Sequence, residues 1–112
     1  MMSPITNDQM NALLKTTKAY SLMILKPGPE RHKDGVDKII WEHGRRNLSL
    51  RAAGLLSIFC PVAADALNGI GISNLGIEET TKIMYGDPGV REGVFAYEVY
   101  LCRSFPGDSL PG

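Results

Sequence analysis

The run Ala19-Tyr20-Ser21-Leu22-Met23-Ile24-Leu25 is apolar at nearly every position and stops at Lys26-Pro27-Gly28-Pro29-Glu30. That junction constrains the fold more than any other stretch of the chain. A short apolar run ended by proline and glycine has the length and punctuation of a strand, not of a buried helix. Since both of its alternating faces are apolar, it reads as a central strand buried on both sides. The rest of the chain must then supply neighbouring strands and cover.

It does so in a recognisable order. Asp34 to Ala53 is expected to be a helix, because Val36, Ile39, Ile40, His43, Asn47 and Leu50 recur at three- and four-residue steps. Gly54 is the stop signal. Leu55 to Cys60 is a second strand closed by Pro61, and a turn through Ala63–Ala66 leads to a third, Leu67 to Ile72. Gly76 to Tyr85 is a second helix with Glu78 and Glu79 in its first turn, where the helix dipole favours acids. Gly86-Asp87-Pro88-Gly89 ends it. Gly93 to Cys102 is a fourth strand, alternating Val94, Ala96, Glu98 and Tyr100 with Phe95, Tyr97, Val99 and Leu101.

The order β-α-β-β-α-β is the ferredoxin-like, split βαβ arrangement. It implies an α+β fold with a four-stranded antiparallel sheet and two helices on one face. The first and third strands should be central, and the second and fourth should be the opposite edges. Residues 19–103 form this domain. Residues 1–18 are a polar amino-terminal extension with a short helix that Asp8 caps, carrying Met10, Leu13 and Leu14. Residues 104–112 are an extended tail rich in proline and glycine. The sheet face without helices would stay open, so a homodimer packed sheet to sheet is expected.

Composition narrows the function. With 44% hydrophobic and 21% charged residues the 112-residue chain is globular, with room for one core. Twelve basic residues balance twelve acidic ones, so no charge draws the molecule to nucleic acid or an anionic membrane. No stretch nears the roughly 18 apolar residues of a membrane span. Met1 to Thr17 lacks the basic start and apolar centre of a secretory signal, so a cytoplasmic location is expected. Cys60 and Cys102 end different strands and should be reduced and far apart. Arg45, Arg46 and Arg51 make either a solvated helix face or an anion contact at a pocket mouth.

His43 carries the most information. It projects with Val36, Ile40, Asn47 and Leu50 from the face that should meet the sheet. An imidazole there must be hydrogen-bonded or open to a cavity. Asn47 extends the polar break, and Gly44 weakens the helix by about 1 kcal/mol relative to alanine. A core histidine satisfied by a carbonyl would account for the position equally well. Asp87 opens an Asp-Pro-Gly turn, and plain turn chemistry suffices for it on spacing alone. His32 sits in a basic loop and reads as solvated. No metal motif, phosphate loop, dinucleotide fingerprint or nucleophile elbow is present, so no metal or cofactor is expected.

Taken in order, these pieces resemble the YCII-related family. The resemblance covers roughly Tyr20 to Arg103. It rests on the first-helix histidine followed by Leu48-Ser49-Leu50-Arg51-Ala52-Ala53-Gly54-Leu55-Leu56, and on the strand end Cys60-Pro61-Val62. Ile77-Glu78-Glu79, Asp87-Pro88-Gly89-Val90-Arg91-Glu92-Gly93 and Tyr97-Glu98-Val99 complete it. It implies a ferredoxin-like dimeric α+β barrel with a His–Asp pair at the active site, which falls on His43 and Asp87. Lyase-like chemistry on small hydroxylated ring compounds is associated with that family. The expectation is a cofactor-independent lyase or isomerase acting on a small-molecule ligand, with Asn47 and Arg46 as substrate contacts. A non-catalytic metabolite-binding dimer and a cofactor-free monooxygenase are the alternatives. In the catalytic case an Asp87 oxygen should lie within about 3.2 Å of a His43 ring nitrogen, and the other nitrogen should face a cavity.

Overall fold

The computed structural model describes residues 2–112. The elements are α1 (Asn7–Leu14), β1 (Lys18–Pro27), α2 (Val36–Ala52), β2 (Leu56–Pro61), β3 (Gly69–Ser73), α3 (Ile77–Tyr85), α4 (Pro88–Arg91) and β4 (Phe95–Ser104). All strand pairs are antiparallel, in the order β2-β3-β1-β4. β1 and β3 are therefore inner strands and β2 and β4 the edges. The result is an α+β fold compatible with the ferredoxin-like arrangement.

Ser21, Met23 and Leu25 of β1 are buried, while Leu22 and Ile24, which point the other way, are half-buried. The expectation of burial on both faces is thus met on one face only. The reason is geometric: α2 and α3 cover the inner face, while no helix covers the outer face, where the tail reaches only the end near Tyr20, Ile58 and Ile72. There Ile70 and Tyr100 are exposed beside half-buried Leu22, Ile24, Ile58 and Ile72. Lys26 pairs with Glu98 on that face, and the Tyr100 hydroxyl donates to Glu98 at 2.7 Å. Hydrogen bonding to Glu98 holds the Lys26 and Tyr100 pKa values up, and hydrogen bonds from Lys26 and Tyr100 hold the Glu98 carboxyl down.

The inner face carries two touching clusters. Met23, Leu56 and Met84 pack with Leu50, Phe59 and Ile83, and Leu25, Val94 and Phe95 pack with Val36, Ile39 and Ile40. Gly71 makes room for the first. A Cβ there would come 2.7 Å from the Met23 methyl.

Two local devices differ from expectation. Thr6, not Asp8, caps α1: its hydroxyl accepts from the Gln9 N–H and Gln9 accepts from the Thr6 N–H, satisfying two otherwise orphaned donors. No α1 residue is buried. After α3 the chain does not simply turn. Pro88 starts the one-turn helix α4, its fixed φ being suited to a first helical position.

Candidate functional site

Only two residues of α2 are buried, and both are polar: His43 and Asn47. They lie one turn apart, which puts both side chains on the stripe facing the sheet. The site is built outward from them.

Asp87 reaches His43 from the junction between α3 and α4. Its backbone N–H donates to the Met84 carbonyl at 3.0 Å, which fixes the junction against the end of α3. Gly89 lets the turn lie close to the core, since a Cβ there would come 2.6 Å from the Phe95 ring and 3.2 Å from Asp87 Oδ2. Asp87 occupies the cap position of α4, yet its side chain makes no capping hydrogen bond. The carboxylate instead turns inward, with Oδ2 2.7 Å from His43 Nδ1. Turn chemistry alone therefore does not account for this aspartate. Its side chain is fully buried, and Oδ1 has no hydrogen-bond partner.

The other ring nitrogen does not face a cavity, which corrects the expectation. Asn47 Nδ2 lies 3.3 Å from His43 Nε2 and 3.5 Å from the Tyr97 hydroxyl. An ionised Asp87 only accepts, so Nδ1 carries the proton and Nε2 accepts from the Asn47 amide. Phe95 packs on the imidazole with ring centroids 4.5 Å apart, and the Arg31 guanidinium lies 5.4 Å from the centroid of the Phe95 ring. Asn47 Oδ1 is buried without a partner.

Tyr97 is the residue that sequence reasoning passed over. It lies on the inner face of β4 and lines two small clefts. One, of about 20 Å³, runs under Asn47 along Met23, Leu56 and Phe59. The other, of about 120 Å³, lies between Thr81, Met84, Tyr85, Val90 and Val99. Burial pushes the Tyr97 phenol well up, against a hydrogen bond from Asn47 and the nearby Arg46 charge, and Asp87 adds to the rise. The phenol therefore keeps its proton and can donate. Its parity with Phe95 and Val99 was the available signal, since it put a polar tip among core residues.

Arg46, expected at the substrate, lies against the other end of the same junction. A Cβ on Gly86 would come 2.7 Å from its Nη2, and its Nη1 is buried with no partner. The other candidates stay outside the cluster. Arg45 pairs with Glu42 at 3.1 Å, and Arg51 and His32 are exposed. Cys60 and Cys102 are free thiols on the two opposite edge strands. Among the described residues no His, Cys, Asp and Glu group of three or more could hold a metal, and no helix is long and apolar enough to cross a membrane.

The arrangement thus joins Asp87, His43, Asn47 and Tyr97 in one polar chain from a buried carboxylate to two clefts. No protein-family model matches the sequence, and no curated protein matches it.

Proposed function

We propose that this chain is a small-molecule-binding homodimer of the YCII-related, dimeric α+β barrel kind. In this reading it is a cofactor-independent lyase or isomerase for a small cyclic hydroxy or keto compound. The single observation that carries it is the Asp87 carboxylate, fully buried, capping nothing, and committed to His43 Nδ1. Burying a carboxylate costs several kcal/mol, and apolar residues of like volume would pack the same space at no such cost.

Asp87 fixes the imidazole tautomer and stabilises the imidazolium, as in other acid–histidine pairs. His43 Nε2 takes a proton from the carbon beside the substrate carbonyl. The electron pair passes to the carbonyl oxygen, where Tyr97 donates a hydrogen bond and Arg46 adds positive charge. Return of the proton to another carbon is isomerisation, and loss of a hydroxyl instead is elimination. General acid–base transfer of this kind contributes typically about 10²–10⁴ in rate. Substrate reaches Nε2 when the Asn47 side chain rotates away from it, from the clefts that Tyr97 lines. The exposed apolar residues of the outer sheet face support the dimer.

A second reading, a metabolite-binding dimer without turnover, is favoured by one observation: Asn47 covers Nε2. A binding screen of small cyclic hydroxy and keto acids against the purified protein, then assay of the hits, separates the two. The catalytic reading expects His43→Ala to abolish turnover and keep ligand affinity. Unchanged turnover in that variant overturns it. Light scattering that gives a monomer at micromolar concentration overturns the dimer.

A further inference from the structure

We propose that Asn47 is a positioning residue whose carboxamide turns over when His43 changes its protonation state. The inference rests on the acid–base reading of the pair, yet its test needs no turnover and no ligand.

An imidazole that gives and takes protons must be hydrogen-bonded well in both states, because a buried polar group without a partner costs about 1–3 kcal/mol. Asp87 serves Nδ1–H in either state. Nε2 has a harder requirement: it accepts when neutral and donates when protonated. A carboxamide meets both needs by rotating half a turn about its last bond, because it offers a donor on one side and an acceptor on the other.

Asn47 is placed to do this. Its Nδ2 lies 3.3 Å from Nε2, the orientation that suits the neutral ring. Its Oδ1 is buried and has no partner, so the acceptor for the protonated ring is already present and unused. The residue is buried on the same helix stripe one turn from His43, so its Cβ need not move.

The turn also reaches the clefts. In the neutral state Asn47 Nδ2 lies 3.5 Å from the Tyr97 hydroxyl. When Oδ1 swings to Nε2–H, that contact is released and the hydroxyl oxygen no longer accepts from Asn47. A proton on His43 thereby changes what the Tyr97 oxygen accepts, with no change in the number of protons on Asn47. The titratable and charged groups around the ring come from each packed element: Asp87 from the α3–α4 junction, Arg46 from α2, Tyr97 from β4, and Arg31 beyond Phe95 from the loop after β1. Asn47 carries no net charge, and its amide dipole favours the neutral ring in one orientation and the protonated ring in the other.

The test is nitrogen NMR on the full chain labelled at histidine and asparagine. In the neutral state the expected result is a protonated Nδ1, a bare Nε2, and a coupling across the hydrogen bond from Asn47 Nδ2 to Nε2. On acidification that coupling should vanish, and the Asn47 amide signals should move in step with the ring. A neutral ring protonated at Nε2, or Asn47 signals that stay still through the ring titration, overturns the proposal. Two variants add a readout that mere packing would not move. Asn47→Asp, ionised, only accepts and brings a negative charge to Nε2, so it should favour the doubly protonated ring over wild type at the same pH. Asn47→Leu keeps the volume and leaves Asp87 on Nδ1, so the neutral ring should keep its Nδ1 proton while the Nε2 signal moves for want of the Asn47 donor. Wild-type ring signals in both variants overturn the proposal, and if neither folds the wild-type titration still decides.

Discussion

The two faces of α2 are dressed in opposite ways, and neither matches what a surface helix needs. Its inner face buries His43 and Asn47 among half-buried Val36, Ile39, Ile40 and Leu50. Its outer face exposes Trp41 by 70% and Leu48 by 54%, flanking a groove of about 520 Å³ over Gly44. A helix selected for packing alone would put the apolar residues inside and the polar ones outside. The inner polarity persists against its desolvation cost, which the proposed chemistry would explain. The outer apolar residues are not explained by this chain's own packing.

The largest effect expected is on the inner face. His43→Leu leaves the Asp87 carboxylate buried with no partner, and urea unfolding should show a loss of about 3–5 kcal/mol. The double variant His43→Leu/Asp87→Leu removes both polar groups. It should recover most of that loss while showing no turnover. If the double variant is as unstable as the single one, the pair exists to hold the fold, and the contrast between the two faces of α2 loses its functional meaning.

Next in size is Tyr97→Phe, which removes one hydroxyl and no apolar surface. Turnover should fall by about 10² if the hydroxyl serves an oxyanion, with stability near neutral pH changed by about 1 kcal/mol or less. A pH series adds a check with a definite sign. Burial raises the Tyr97 pKa above the ordinary phenol value of about 10. The unfolded chain therefore loses the phenolic proton first as pH rises. Stability is intact below about pH 10 and falls above it, because there the unfolded state binds fewer protons. Wild type should lose stability more steeply above that pH than Tyr97→Phe. Equal slopes would show the phenol to be in contact with water and unable to act as a shielded donor.

How far the site could be read from sequence depended on range. The nearly unbroken apolar run of β1 placed it in the middle of the sheet, and the period of α2 placed His43 and Asn47 on its inner stripe. Both are one-element patterns. The 2.7 Å contact between His43 and Asp87 spans 44 residues and came from the ordered resemblance, not from spacing. What escaped was set by competition between neighbours. Thr6 outcompetes Asp8 as the cap because Gln9 answers it reciprocally. Asn47 occupies the space beside Nε2 where a cavity was expected, because the i, i+4 step on one helix brings the amide to the ring. Tyr97 looked like one more aromatic in an alternating strand until Asn47 gave its hydroxyl a partner.

The smallest effect expected is on the outer face, at Gly44. A Cβ built there meets nothing within 4 Å, and Gly44 is not among the glycines with positive φ. The backbone is ordinary helix and the space above it is open, so neither sterics nor conformation requires glycine in this chain. Alanine at a helix interior is favoured over glycine by about 0.8–1.0 kcal/mol, chiefly because it restricts the unfolded chain. Gly44→Ala should therefore raise the unfolding free energy by about that amount, read as a higher urea midpoint with an unchanged slope. It should leave turnover alone, since the substitution faces away from His43. The contrary result is equally informative. A loss of stability, or a gain seen only on dilution, would mean that the added methyl meets a surface this chain does not supply. Gly44 would then be glycine because something lies against it, and Trp41 and Leu48 would be exposed for the same reason.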